Sequence, residues 1–175
     1  MWRLVPGLAV VLAAAAAAGC GGKTVTETTT VTVAAPREPS PPGERTYFGH
    51  IESLAREGTS YQLRFDPAWF LSGETANTAA AEDGAVEPGE PVPNDNYVLE
   101  EAHRLLRFQV PADAHVTVLT RHGTGQFGAT PVTVAELAEI VHGTSRMKLF
   151  EPLDSGVWIR VRIDAVRAID QQYRP

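Results

Sequence analysis

Val157, Ile159, Val161 and Ile163 alternate with Trp158, Arg160 and Arg162, and the same period of two returns at Tyr61, Leu63 and Phe65 and at Leu106, Phe108 and Val110. Strict alternation puts successive side chains on opposite faces of an extended strand, so each segment suits a sheet with one face on a core and the other in water. No other feature restricts the fold as much. A parallel α/β sheet needs regular strand–helix–strand alternation and near-continuous apolar strands, which this chain lacks.

Read in order, Tyr47–Leu54 and Tyr61–Phe65 form a predicted hairpin around the polar stretch Arg56–Ser60, and Asp66-Pro67 is expected to end its second strand. Ser72 is the expected N-cap of a helix with Glu74 in its positive first turn, Ala76–Asp83 propagating it and Gly84 at the left-handed C′ position. Trp69, Phe70 and Leu71 are expected to pack the start of that helix on the sheet. Short strands follow at 97–99, 106–110 and 115–120. Thr133-Val-Ala-Glu136 is a capping box, and Val134, Leu137, Ile140 and Val141 make the apolar stripe of a second helix ending at Gly143. A final pair of strands covers 157–163 and 166–173. The expected class is α+β, mainly antiparallel β, a small curled sheet or barrel-like domain with two short helices.

The N-terminal segment differs in kind. Met1-Trp2-Arg3 carries one positive charge, and Leu4–Ala18 carries none before Gly19-Cys20. A basic head, a short apolar run and small residues at its end describe a secretory signal peptide, too short for a spanning helix. Cys20 is the only cysteine in 175 residues and has no disulfide partner within the chain. The small residues Ala17-Ala18-Gly19 before Cys20 resemble the lipobox of bacterial lipoproteins, although Ala17 stands where that pattern usually has Leu. The resemblance implies a diacylglyceryl group on the Cys20 thiol and cleavage that leaves Cys20 as the new N-terminus. Two acyl chains satisfy the requirement of stable anchoring for more than one weak signal. The expected organisation is a signal peptide at 1–19, a lipid-anchored tether at 20–45 and a single globular domain at 46–175. The tether holds six threonines and four prolines at 21–45 and no aromatic residue, a composition for a stalk and not for a core. The expected location is the extracytoplasmic face of a cell membrane.

Removing residues 1–19 takes away one of 15 basic residues and none of 21 acidic ones, leaving a net charge of −7. With only two lysines and no basic stripe, the chain is not expected to bind nucleic acid. The expected partners are the membrane, through lipid at Cys20, and an envelope protein, a wall polymer or a small ligand.

Phe65–Ala76, Glu82-Asp-Gly84, Pro93–Tyr97, Leu105–Phe108 and Gln172–Pro175 are similar to segments of uncharacterised exported domains of Gram-positive bacteria. That resemblance implies envelope localisation and transfers no activity or catalytic residue.

No motif in the domain carries a recognised chemistry. Gly123-x-Gly125-x-x-Gly128 matches a dinucleotide pattern, but its helix opens only after the Thr133 cap, too late to offer N–H groups to a pyrophosphate. It is read as a flexible loop. Histidines 50, 103, 115, 122 and 142 never fall in H-x-x-x-H spacing. Asn94, Asp95 and Asn96 with Glu100 or Glu101 offer hard oxygens, but without the EF-hand pattern they read as turn residues. Asp66, Glu74, Glu82 and Asp83 could pair as carboxylates for glycoside hydrolysis only if two faced each other across a cleft; turn and helix-end roles account for them as well.

Two functional classes follow. One is a surface interaction or ligand-binding module using the loops around Asn94, Asp95 and Asn96 and around Gly123, Gly125 and Gly128, with no catalytic residue, metal or cofactor. The other is an envelope hydrolase, metal-assisted or not, depending on Asp66, Asp95 or His103.

Overall fold

A computed structural model describes residues 42–100, 105–123 and 126–174. The signal segment, Cys20 and the tether up to residue 41 lie outside the described residues, as do Glu101, His103 and Gly125.

Among the described residues the chain forms β1 (Glu44–Glu57), β2 (Ser60–Ser72), α1 (Gly73–Glu82), a 3-10 turn at Pro93–Asp95, β3 (Asn96–Leu99), β4 (Leu106–Pro111), β5 (His115–His122), β6 (Gln126–Val132), α2 (Val134–Val141), a second 3-10 turn at Leu153–Ser155, β7 (Val157–Arg162) and β8 (Ala165–Gln171). The strand order is β3-β2-β1-β7-β8-β5-β6, and β4 joins β2 to β8. Five strands therefore close on themselves in the order β1-β2-β4-β8-β7. β7 returns beside β1, a Greek-key connection, and the ring is a partly open barrel. The seam between β4 and β8 is its weakest join, a single parallel pair at Gln109 and Ala165. Every other join of the ring is antiparallel. The α+β, mainly antiparallel and barrel-like class is thus the observed one.

The alternating side chains do what their period requires. Leu63, Phe65, Val110, Val157 and Ile159 are buried inside the ring with Leu54, Val166 and Ile169, while Gln62, Arg64, Arg107 and Gln109 face out. The apolar stripe of α2 covers the barrel through Val134 and Leu137, both fully buried. Its capping box forms as read: Glu136 N–H donates to Thr133 Oγ1 at 3.2 Å, and Thr133 N–H and hydroxyl both donate to Glu136 Oε2. Those two donors, the backbone one first, hold the Glu136 carboxyl below the ordinary carboxylate range. At the other end of the helix, Gly143 N–H bonds Ile140 O and Thr144 N–H bonds Glu139 O, the Schellman arrangement that glycine at C′ permits.

Four expectations are corrected. Asp66-Pro67 does not end β2. The strand runs on to Ser72, because past the Phe48–Ala68 pair β2 leaves β1 and takes β3 as its partner, from Trp69–Leu99 to Ser72–Asn96. Trp69, Phe70 and Leu71 are accordingly strand residues, and Leu71 packs as expected on the cluster that holds Ala76 and Ala80 of α1. Ser72 occupies the N-cap of α1, but its hydroxyl makes no capping bond. The stretch after Gly123 is not a loop to Gly128: Gly123 turns the chain with φ +61°, and β6 then pairs along β5, with Gly128 opposite Thr120. Ile163 leaves the inward phase of β7. It sits at the tip of a two-residue turn with Asp164, both at positive φ, and is 87% exposed. The turn therefore breaks the alternation one residue before the apolar pattern does. In addition, Glu44 and Arg45, read as the end of the tether, already pair with Arg162 and Val161 of β7.

Candidate binding site

The described loop residues singled out from sequence lie at opposite ends of the strand order, in turns and in the strands that follow them. Asn94 and Asp95 both adopt positive φ in the 3-10 turn leading into β3, the first strand, and the Asn96 amide donates to Asn94 O at 2.8 Å. This is the local backbone bonding expected of such residues. Gly123 lies in the β5–β6 hairpin turn and Gly128 within β6, the last strand.

The acidic and histidine residues are dispersed over several elements. Asp66 stands in β2 opposite His50, and Asp95 in the turn before β3. His50 Nε2 lies 2.7 Å from Glu100 Oε1. His142 caps α2, its Nδ1 bonding Ala138 O at 2.6 Å. Asp83 accepts from the Tyr97 hydroxyl at 2.9 Å; that bond first, then desolvation and the Asp83 charge, push the Tyr97 hydroxyl up. Among the described residues no three His, Cys, Asp or Glu side chains group as metal ligands do.

What the fold does build is a cleft in the fork where β2 parts from β1. On the outer phase of three adjacent strands, Phe48 faces Trp158 on one side and Ala68 on the other, with Phe70 two residues beyond Ala68. Phe48, Phe70 and Trp158 form a triangle of rings, with centroids 5.1, 5.1 and 5.8 Å apart and inclined to one another by 62°, 59° and 60°, at separations where aromatic pairs attract. The triangle is a second small core outside the barrel, in which Phe48 is only 3% exposed. Gly156 makes room for it, since a methyl group there would fall within the Phe48 ring. The polar tip of Trp158 is satisfied, Nε1–H donating to Gln172 Oε1 at 2.6 Å.

The adjoining cleft has a volume of about 580 Å³. Pro67, Ala68 and the three rings form part of its wall, Trp69 joins them at 57% exposure, and Tyr47 and Leu106 link it to the barrel core. Its size falls in the range of small-molecule sites, and its lining is the apolar and aromatic kind such sites use. Sequence reading missed it because the assembling residues are far apart in the chain. The available signal was one of phase: Trp158 shares the outward phase of β7 with Arg160 and Arg162, where an indole would otherwise meet water.

A second aromatic group lies by the β5–β6 hairpin. Phe127 stacks on Phe150 at 4.1 Å and 10°, Tyr173 packs 4.7 Å from Phe127, and Arg121 sits 4.7 Å over the Phe150 ring. These rings satisfy one another and fasten the chain around Phe150 and the C-terminal segment to the hairpin, with Phe150 N–H bonding Leu119 O.

Comparison with protein-family models, with curated proteins and with solved structures finds no match to the chain.

Proposed function

We propose that this chain is a ligand-binding module of the cell envelope, anchored by lipid on Cys20 and displaying its barrel on the stalk at 21–45. The observation that carries the binding reading is the cleft of about 580 Å³ walled by Phe48, Phe70 and Trp158, with Trp69 left half in water. An apolar ligand entering it would cover Trp69 and gain contacts that exposed indole lacks. The anchor rests on the apolar run and the lone cysteine, to which the described residues add only that none of their helices is long and apolar enough to cross a membrane. In this reading the ligand site is the β1–β2 fork, in place of the Asn94–Asn96 segment and the β5–β6 hairpin.

Two measurements test the two halves. Titration of the full chain with the apolar probe 1-anilinonaphthalene-8-sulfonate should give saturable binding, weakened about tenfold by Trp69→Ala, the loss of roughly 1.4 kcal/mol of contact. Binding that ignores Trp69→Ala would remove the cleft as the site. Cys20→Ser should move the protein from the membrane fraction to the medium; unchanged membrane association would end the lipid-anchor reading.

A further inference from the structure

We infer that the cleft is a polyproline groove and that its occupant is this chain's own stalk segment, Pro36–Pro42, which a ligand displaces on entry. This rests on the reading of the cleft as the ligand site and gives that site its regulation.

The first argument is what the cleft asks of a ligand. Trp158 has a partner for its indole N–H in Gln172, but Trp69 and Tyr47, which also line the cleft, have none for theirs among the described residues. The Trp69 N–H can only donate, and the Tyr47 hydroxyl can donate too. Indole and phenol tips in contact sites usually find a partner. A proline residue offers a carbonyl acceptor and no N–H, and a polyproline helix leaves its carbonyls unbonded within itself. Its rings pack on aromatic faces, and the helix is preformed, so little conformational freedom is lost on binding. Three aromatic rings beside two free donors are therefore the lining that a proline-rich segment fits.

The second argument is where such a segment sits in the chain. Pro36, Pro39 and Pro42 recur at intervals of three, the period of a polyproline helix, and so share one edge of it, with Pro41 beside them. At 3.1 Å per residue that edge is roughly 19 Å long. Pro36–Pro41 lie outside the described residues, and the described chain starts at Pro42, just ahead of β1, whose Thr46, Tyr47 and Phe48 line the cleft. Pro42 and Gly43 form a turn, with Gly43 at φ +81°; proline then glycine is the central pair that suits a type II turn. A turn at this point sends the preceding chain back alongside β1. β7 takes one edge of β1 from Glu44 to Gly49. On the other edge the ladder with β2 reaches only to Phe48–Ala68, so among the described residues Glu44–Tyr47 have no strand partner there. That free edge borders the cleft. A ligand that takes the segment's place lengthens the free stalk by the stretch it releases.

The test uses the full chain carrying Cys20→Ser, so that no acyl group of its own competes, with 1-anilinonaphthalene-8-sulfonate as the probe of the cleft. Pro36→Ala with Pro39→Ala and Pro41→Ala alters only the stalk. It should tighten probe binding about tenfold, the gain from removing a segment that fills the cleft about nine-tenths of the time. A synthetic peptide with the sequence of residues 34–43 should reverse that gain at millimolar concentration, the effective concentration a short linker provides. The same peptide with alanine in place of its prolines should not. Trp69→Ala in the alanine background should weaken both probe and peptide about tenfold. Equal probe binding by the native and alanine stalks would overturn the occupant, and so would a gain that the peptide fails to reverse. In either case a response to Trp69→Ala would leave the cleft standing as the ligand site. Probe binding indifferent to the stalk and to Trp69→Ala alike would overturn both readings.

Discussion

The barrel and the excursion between its second and third strands are built on different terms. The five-strand ring buries Leu54, Leu63, Phe65, Val110, Ile159 and Ile169 at or near zero exposure. The excursion, residues 73–100 with α1 and β3, buries Ala76, Ala80, Val92 and Val98, the first three backed by Leu71, Val86 and Tyr97. A buried alanine methyl contributes about 0.8 kcal/mol, a larger aliphatic or aromatic side chain about 1.5–3. The excursion relies instead on polar bonds: Val92 N–H to Asn77 Oδ1 at 2.9 Å, Tyr97 hydroxyl to Asp83, and the Schellman turn that closes α1 at Gly84. It also carries seven acidic residues and no basic one, so the rest of the mature chain, with 14 of each sign, is neutral. Stability and charge are thus separated in one domain. The ring supplies the first, and the excursion supplies the second at low local stability.

The largest expected effect separates the two directly. Phe65→Ala empties the centre of the ring and should cost about 3–5 kcal/mol of global stability in denaturant titration. Ala80→Gly should cost about 1 kcal/mol, and its effect should show as faster amide exchange confined to residues 73–100. If Ala80→Gly lowered the global midpoint as far as Phe65→Ala, the excursion would be part of the cooperative core and the contrast would fail.

The same contrast governs what could be read in advance. The ring strands were legible because one buried face imposes period two, and α2 because its capping box and apolar stripe agree. α1 was legible from its alanines and Gly84. The course of β2 past Pro67 was not. Proline lacks an N–H, but here β2 is changing partners from β1 to β3, where a missing donor is tolerated. β6 was not legible either, since Gly128 and Pro131 interrupt its pattern and its partner β5 supplies the order. The cleft was invisible because Phe48, Phe70 and Trp158 meet only through the β1–β2 and β1–β7 registers. Single-strand periodicity tells which face a residue takes; partner choice decides whom it meets there.

A smaller effect sharpens the picture of the ring by finding its one strained turn. Ile163 has φ +50° and Asp164 φ +59°, the double left-handed geometry of a type I′ hairpin turn, and a β-branched residue is poorly suited to it. Ile163→Asn places a residue that tolerates this region and removes an 87% exposed apolar side chain without touching the core. It should raise stability by about 1 kcal/mol at unchanged m-value. A loss would mean that Ile163 makes contacts whose worth exceeds the strain.

The smallest effect tests the polar fastening of the excursion. The Tyr97 hydroxyl donates to Asp83 and titrates above its ordinary value near 10, the hydrogen bond being the main cause. A group whose folded pKa is raised contributes fully below its unfolded pKa and loses that contribution as pH rises through the folded value. The bond should therefore be intact at neutral pH and fail only in the alkaline range above about 10. Deprotonation there removes the donor and sets a phenolate against the Asp83 carboxylate. Amide exchange in residues 73–100, corrected for its intrinsic pH dependence, should rise across that window in the native chain and stay flat in Tyr97→Phe. At pH 7 the variant should already exchange roughly threefold faster there, with the ring unchanged. The bond is exposed, so water competes for both partners and the effect stays small. A response in the ring strands instead would mean that α1 and the barrel open together, and that the separation of stability from charge stops short of the excursion.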